Sequence, residues 1–418
     1  MRSFNLTVDK TAANFHWRSE LLSGVNMQAK AVAISALAML VTAASCSQNP
    51  ANVELQFSTD ALEKRQTMFE HVASLKADPE NPNALGWWNQ MVAAVGREDL
   101  LAGSRRTYDN PASLVCTDEA SANAIEGIIG ALGDQNVVII NENHAMPAHR
   151  VFIRELVIQL RTQGFTHYAA ETLSAVAASG TGYPSTDDGW YTSEPLMARL
   201  LKTVRDLGYI QIAYEQTAEQ AAPPEAEMQT RIETRENAQV ANLKAAVLDD
   251  NRDIKIIVHV GHSHVAEEPV YGTEWMAARL KKATGIDPFT ISLLACRSSS
   301  NVPVLSQTAL DINGDAQPRY TDYLVGLPSF TFENGRPSYR AAIGDIATKV
   351  PAALLPVENP VIIEARPIDA SLNQEPVERL YLAPGENLPL MLPSGTWSLI
   401  SFDEEGSISG PEIVSIED

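Results

Sequence analysis

The chain predicts an α/β fold: a mainly parallel sheet flanked by helices, with a smaller β-rich C-terminal module. Two observations carry that expectation. Between residues 118 and 300, short apolar runs alternate with amphipathic helical segments, the grammar of βαβ units. After about residue 300, prolines and short apolar runs alternate with turns, which reads as a β-rich module over 301–418. With 418 residues, 45% of them hydrophobic, the chain can bury one large core and a second smaller one.

In chain order, residues 1–26 carry no export pattern and read as an extension ahead of a start at Met27. Residues 27–46 then place a lysine near a methionine, an apolar run of signal-peptide length, small residues and Cys46. The run is short for a membrane span. Ending at cysteine, it resembles a bacterial lipoprotein signal, which implies lipidation of Cys46 and a periplasm-facing membrane anchor. Plain secretion is the alternative. Residues 47–117 form a polar tether followed by helical, amphipathic segments interrupted at Pro79 and Pro82.

The core opens with a helix over SANAIEGIIGAL and a strand over NVVII (136–140), apolar enough to be buried on both faces. PAHRVFIRELVIQLRTQG is a helix with Pro147 in its first turn and Gly164 at its exit. THYAAE (166–171), YIQIAYE (209–215), IKIIVHV (254–260) and FTISLLAC (289–296) are further strands, separated by helices of similar length. A loop rich in Gly, Ser and Thr, SAVAASGTGYPSTDDGWYTS, joins the second strand to the next helix. Its Tyr183, Trp190 and Tyr191 suit either an apolar lid or ordinary packing.

Composition excludes some classes. A net charge of −21 repels phosphate backbones, so nucleic acid is not an expected partner. There is no G-x-S-x-G elbow, P-loop, G-x-G-x-x-G or H-E-x-x-H motif. Of three cysteines, Cys116 and Cys296 remain for a disulfide if Cys46 is lipidated, and an exported compartment permits one; two buried free thiols are the alternative.

Histidine placement carries the chemistry. Five of the eight histidines fall in NENHAMPAHR (141–150) and HVGHSH (259–264), each beginning where a predicted strand ends. Ligands in open parallel sheets bind beyond the carboxyl ends of strands. Glu142, His144, Glu171 and His264 are therefore the expected catalytic groups. His144, Glu171 and His264 are also candidate ligands for a divalent transition metal of unassigned identity. His149 and His262 are candidate cofactor contacts. Arg150 and Arg235 are candidate substrate-binding cations, with surface ion pairing as the alternative for both, as for Arg154 and Arg231. Gly261 is expected to allow a tight turn. Glu215 reads as an ordinary polar strand end, and His259, inside a strand, as a supporting residue.

Asn141-Glu142-Asn143-His144 with Pro147 and His149-Arg150 resembles the G-E-x-H-x-x-P-x-H stretch of haem-binding ChaN-type lipoproteins. Gly261-His262-Ser263-His264 resembles the second G-x-x-H of the superfamily that also holds Tiki, TraB and erythromycin-esterase-like proteins. The resemblance spans roughly residues 120–300. It implies an α/β core with a site built from the two segments, and either a membrane-tethered hydrolase acting on a small molecule or peptide, with or without metal, or a haem- or iron-binding lipoprotein. A non-catalytic interaction module is a third reading. Asn141 stands where the family has glycine, and its tolerance of left-handed backbone is the expected compensation. Substrate and oligomeric state are not legible.

Overall fold

Two helices open the fold, α1 (Thr59–Ala77) and α2 (Asn89–Ala94). Beyond them the expected alternation folds as read. Strands β1 (Val137–Glu142), β2 (His167–Ala170), β3 (Ile210–Ile212), β4 (Ile256–Gly261) and β5 (Phe289–Ser292) alternate with helices α3 (Ala124–Ala131), α4 (Pro147–Thr162), α5 (Pro195–Asp206), α6 (Met228–Leu243) and α7 (Met276–Thr284). The computed structural model describes residues 57–417 except 82, 84, 87, 103–113, 117–122, 250–252 and 311–312. The leader and Cys46 lie outside the described residues. Glu54–Ala222 and Glu227–Asp418 make up one compact unit. No helix among the described residues is long and apolar enough to cross a membrane.

Strand β1 shows why the sheet is covered on both sides. Val138 and Ile140 face a core shared with Phe152, Leu156, Leu160, Leu200 and Leu201 of α4 and α5. Val137 and Ile139, one residue out of phase, face Val240, Leu243, Met276 and Leu280 of α6 and α7. An apolar run without alternation is what a strand buried on both faces requires.

The sheet has seven strands rather than five. Strands β6 (Val304–Ser306) and β7 (Tyr323–Gly326) extend it, in the order β3-β2-β4-β1-β5-β7-β6. Neighbours are parallel except β6 and β7, which pair antiparallel. The core boundary expected at residue 300 is thus too early. The prolines after residue 300 punctuate two more strands of the same sheet. Cys116 and Cys296 are joined by a disulfide with Cα atoms 5.2 Å apart.

The largest sheet of the remaining C-terminal region is antiparallel, made of β8 (Val361–Pro367), β9 (Glu378–Leu382), β10 (Gly395–Phe402) and β11 (Ile408–Ile416), ordered β9-β8-β10-β11. It is no free-standing module. Met68, Phe69, Val72 and Leu75 of α1 pack on its Ile362, Tyr381 and Phe402. Under that contact runs a chain of buried charges. Glu364 Oε1 accepts from Arg65 Nε at 2.9 Å and from Arg379 Nε at 2.7 Å, and Arg366 binds its other oxygen. Arg379 also donates to Glu375 at 2.9 Å and to the carbonyl of Ser193. Burial alone would raise the Glu364 carboxyl, but the three guanidiniums, Arg366 foremost, hold it well below the usual range.

Removing one partner of such a network leaves uncompensated buried charge. Glu364→Leu is expected to lower unfolding free energy by roughly 3–5 kcal/mol in urea titration, whereas a change under 1 kcal/mol would show that the arginines find other partners.

Candidate active site

The chain leaves β1 toward β2 on one side and leaves β4 toward β5 on the other. Because β1 and β4 are neighbours, their carboxyl ends flank the point where the connections diverge. Crevices form there in doubly wound sheets. Glu142 ends β1, Gly261 ends β4, and Glu171 follows β2 on the far side of β4. Four predicted groups, Glu142, His144, Glu171 and His264, therefore converge.

Glu142 is at the centre and buried. Arg150 grips it from α4, Nη2 to Oε1 at 2.6 Å and Nε to Oε2 at 2.9 Å. His259 Nε2 lies 3.1 Å from Oε2 and His144 Nδ1 lies 2.8 Å from Oε1. Desolvation pushes the carboxyl up, but Arg150, then His259 and the His144 bond, bring it well below its ordinary value. An ionised Glu142 only accepts, so Nδ1 of His144 carries the proton and Nε2 is the basic nitrogen. His259 is further fixed by the Tyr168 hydroxyl, 2.8 Å from Nδ1, which gives it the supporting role expected of it.

The second half is built around Glu171. Its Oε2 accepts the Gly261 N–H at 2.6 Å, and its Oε1 accepts from Arg235 Nη2 at 2.6 Å. His144 Nε2 stands 3.8 Å from Oε2 and His264 Nε2 stands 3.7 Å from Oε1. Burial again opposes ionisation, and Arg235, His264 and His144 overcome it, holding Glu171 far below the carboxylate range. His264 Nδ1 meets Glu236 at 2.9 Å. Burial would lower His264, but Glu171 and Glu236 raise it above the ordinary imidazole value. Arg235 also pairs with Glu215 at 2.6 Å, which makes Glu215 a clamp on Arg235.

Several expectations need correction. Gly261 has φ of −93°, so it is not there for a left-handed turn. A Cβ at Gly261 would lie 2.3 Å from His144 Nε2 and 2.7 Å from Glu171 Oε2; glycine is required so that those two groups can meet over it. Asn141 does not compensate through left-handed backbone either, because it sits within β1. Its side chain does the work: Nδ2 donates to the His262 carbonyl at 2.7 Å and Oδ1 accepts from Leu293 N–H at 2.8 Å. The left-handed residues are His262 (φ 41°) and Thr172 (φ 62°), one in each turn at the site. Non-glycine residues held there cost about 1–3 kcal/mol and cluster at functional sites.

Arg150 does not pair on the surface; it is buried between Glu142 and Glu194, the latter at 2.9 Å, and positions Glu142. His149 is buried, and its Nδ1 accepts the Asn143 N–H at 3.0 Å and fixes the turn that carries His144. His262 is exposed, with its ring edge-on to His144 at 5.3 Å. Of the loop aromatics, Tyr191 stacks on His144 at 3.8 Å, while Tyr183 and Trp190 pack toward the C-terminal sheet and α1 and α2. Glu142, His144, Glu171, Tyr191 and His259 line a cavity of roughly one water molecule. Glu236, Glu194 and Tyr168 were not found from sequence. Glu194 carried a readable signal, an acidic residue just before Pro195 at a helix start.

The metal expectation for His144, Glu171 and His264 does not fit this donor set. Arg235 places Nη1 3.2 Å from His264 Nε2 and Nη2 on Glu171, so a guanidinium stands where a cation would be shared. Among the described residues no group of three or more His, Cys, Asp or Glu is placed to hold a metal ion. Haem would need an open apolar slot beside a histidine, and the Tyr191 ring covers the His144 face.

No protein-family model matches the chain, and no curated protein matches it. Solved structures give shallow likenesses. RRSP, a toxin effector domain from Vibrio vulnificus, is 14% identical with a TM-score of 0.31 over 62% of this chain and 57% of its own. The type III effector HopBA1 is 13% identical with a TM-score of 0.32 over 53% of this chain and 100% of its own. The C-terminal region of Pasteurella multocida toxin, described as having a thiol-protease-like triad, is 10% identical with a TM-score of 0.30 over 81% of this chain and 51% of its own. At this depth they carry no functional argument.

His149 makes a pH test. Burial pushes it down to about 3 from 6.5. As pH falls below 6.5, the unfolded chain gains a proton that the folded chain refuses, so stability is lost between about 6.5 and 3. Denaturant midpoints measured from pH 8 to 5 are expected to fall, and His149→Gln, which keeps an acceptor for Asn143, to flatten that decline. An unchanged slope would refute the assignment.

Proposed function

We propose that the chain is a hydrolase in which the Glu142–His144 pair activates water without a resident metal. One observation supports it above the rest: His144 Nδ1 is 2.8 Å from a buried, ionised Glu142, while Nε2 stands 3.8 Å from Glu171 and the two residues line one water-sized cavity. A water there gives its proton to Nε2 as its oxygen adds to an acyl carbon. Glu142 and Glu171 stabilise the imidazolium, which returns the proton to the leaving group. Arg235, partly exposed, supplies positive charge for the developing oxyanion. The cavity has room for the attacking water alone, and the substrate class proposed is a small ester, lactone or amide. Export through the residue 27–46 leader, with tethering at Cys46, belongs to the same proposal, and the Cys116–Cys296 disulfide is in keeping with an oxidising compartment.

A screen of p-nitrophenyl esters, lactones and peptides in the presence of EDTA tests it. Activity is expected to persist in chelator. His144→Gln is expected to lower kcat by about 10²–10⁴ with KM little changed, the range for losing a general base. Gly261→Ala should match that loss, because its methyl displaces both His144 and Glu171. Activity abolished by EDTA and restored by zinc would overturn the metal-free mechanism. No hydrolysis, together with a haem Soret shift that His144→Gln removes, would replace it with the binding reading.

A further inference from the structure

The cavity at His144 holds a water and no more, so an acyl carbon and its leaving group must meet that water from the solvent side. The two rings beside His144 differ in this respect. Tyr191, itself buried, stacks on His144 at 3.8 Å and closes that approach. His262 meets it nearly at right angles, with 78° between ring planes at 5.3 Å, and is exposed. Arg235, which binds the opposite oxygen of Glu171 from the one near His144, keeps 28% of its side chain in contact with solvent. The open side of the site is therefore the side of His262 and Arg235.

His262 is unlike the other histidines of the 141–150 and 259–264 segments. His144, His149, His259 and His264 each have a ring nitrogen held by a carboxylate, a backbone N–H or a hydroxyl. The ring of His262 takes part in no hydrogen bond among the described residues, while its carbonyl is pinned by Asn141 Nδ2 at 2.7 Å. The backbone beneath that ring is left-handed, with φ of 41°, a conformation glycine adopts freely and histidine does not. Glycine would serve the turn better, and the pinned carbonyl needs no side chain. A residue held in strain whose ring supports nothing in the fold points to a task outside it. The surroundings suit that task. Although the ring reaches water, desolvation by the protein around it and the neighbouring His144 lower it to about 4, the mark of a recess. At neutral pH it offers an uncharged N–H donor that no protein group claims.

We infer that His262 is a substrate-contacting residue: its ring N–H, on the solvent side of His144, donates a hydrogen bond to the leaving-group oxygen of a small ester. This rests on the hydrolase reading for the leaving group, but not for binding at His262. Arg235 takes the carbonyl oxygen on its side of Glu171, and the leaving oxygen lies toward His144, which returns the proton taken from water. As the carbon–oxygen bond lengthens, charge builds on that oxygen and the bond from His262 strengthens, while His262 keeps its own proton. The product alcohol then departs past His262 into solvent. The preferred class is an ester of a weakly acidic alcohol, whose leaving oxygen carries the most charge.

Two measurements test it separately. The first compares phenyl acetate with p-nitrophenyl acetate, which share an acyl group and differ in leaving-group acidity. His262→Gly is expected to lower kcat for phenyl acetate by about tenfold or more, the worth of one hydrogen bond to a developing charge, and to affect p-nitrophenyl acetate much less. Free imidazole is expected to restore the phenyl acetate rate saturably, because the deletion leaves a gap open to solvent. The thermal midpoint of His262→Gly is expected to equal or exceed that of the wild type, whereas a purely structural histidine requires a fall. The second follows the His262 ring C–H signal by NMR during titration with phenol, the product alcohol. The signal is assigned by its absence in His262→Gly and in His262→Asn, whose side chain also tolerates the turn, so that failure of one variant to fold leaves the other. A saturable shift at His262 is expected. Equal losses on both esters without imidazole rescue would sink the inference and leave the hydrolase standing. A saturable shift without hydrolysis of any ester would remove the hydrolase and leave His262 as a binding residue. A titration that moves His262 no more than the other ring signals would overturn the inference, whether or not any ester is cleaved.

Discussion

The grip of Arg150 on Glu142 is the constraint around which the site is organised. A carboxylate in the interior reverts to its acid unless positive charge and donors overcome desolvation. Arg150 contributes two parallel N–H bonds on a rigid fork, the geometry best suited to that task. Once Glu142 is an acceptor, the tautomer of His144 is decided, His259 gains a reason to turn inward, and the basic nitrogen faces Glu171. Arg150 is itself immobilised by Glu194, which also caps α5 through the Leu196 and Met197 N–H groups. A helix start, a strand end and an imidazole are thus coupled through a single guanidinium.

A second ion lattice repeats this logic at the C-terminal sheet, where Glu364 sits among Arg65, Arg366 and Arg379. Among the described residues, four of the largest fully buried side chains are arginines: Arg65, Arg150, Arg336 and Arg379. In an acidic protein these four cations are spent inside, where each binds a carboxylate. Such pairs add little net stability compared with apolar packing, but they fix geometry, since a displaced partner leaves a charge without solvent.

Much of this was legible in the sequence, and for a physical reason. Apolar runs such as residues 136–140 and 254–260 admit few alternatives to buried parallel strands, and a polar cluster straight after each run must lie at one edge. That sufficed to bring Glu142, His144, Glu171 and His264 together. What sequence could not convey was direction. Arg150 and His149 are adjacent to the site but turned to brace it, because helix phase rather than proximity decides which way a side chain of α4 points. Gly261 and Asn141 were noticed for backbone freedom, whereas the fold uses the missing side chain of one and the amide of the other. The two strands after residue 300 were hidden by their brevity, three and four residues among prolines.

Arg379 holds a further consequence. From strand β9 it reaches the Ser193 carbonyl beside Tyr191 and lies 3.5 Å from the carbonyl of Ala94, one turn beyond Gln90. The Tyr191 segment and the end of α2 are thus tied to this one distal side chain. A gene fragment ending after β7 would encode Glu142, His144, Glu171 and His264 and still lack the side chain that ties those two segments together. Changes in the C-terminal sheet can therefore reach the Tyr191 ring stacked on His144 while the residues of the site themselves stay the same.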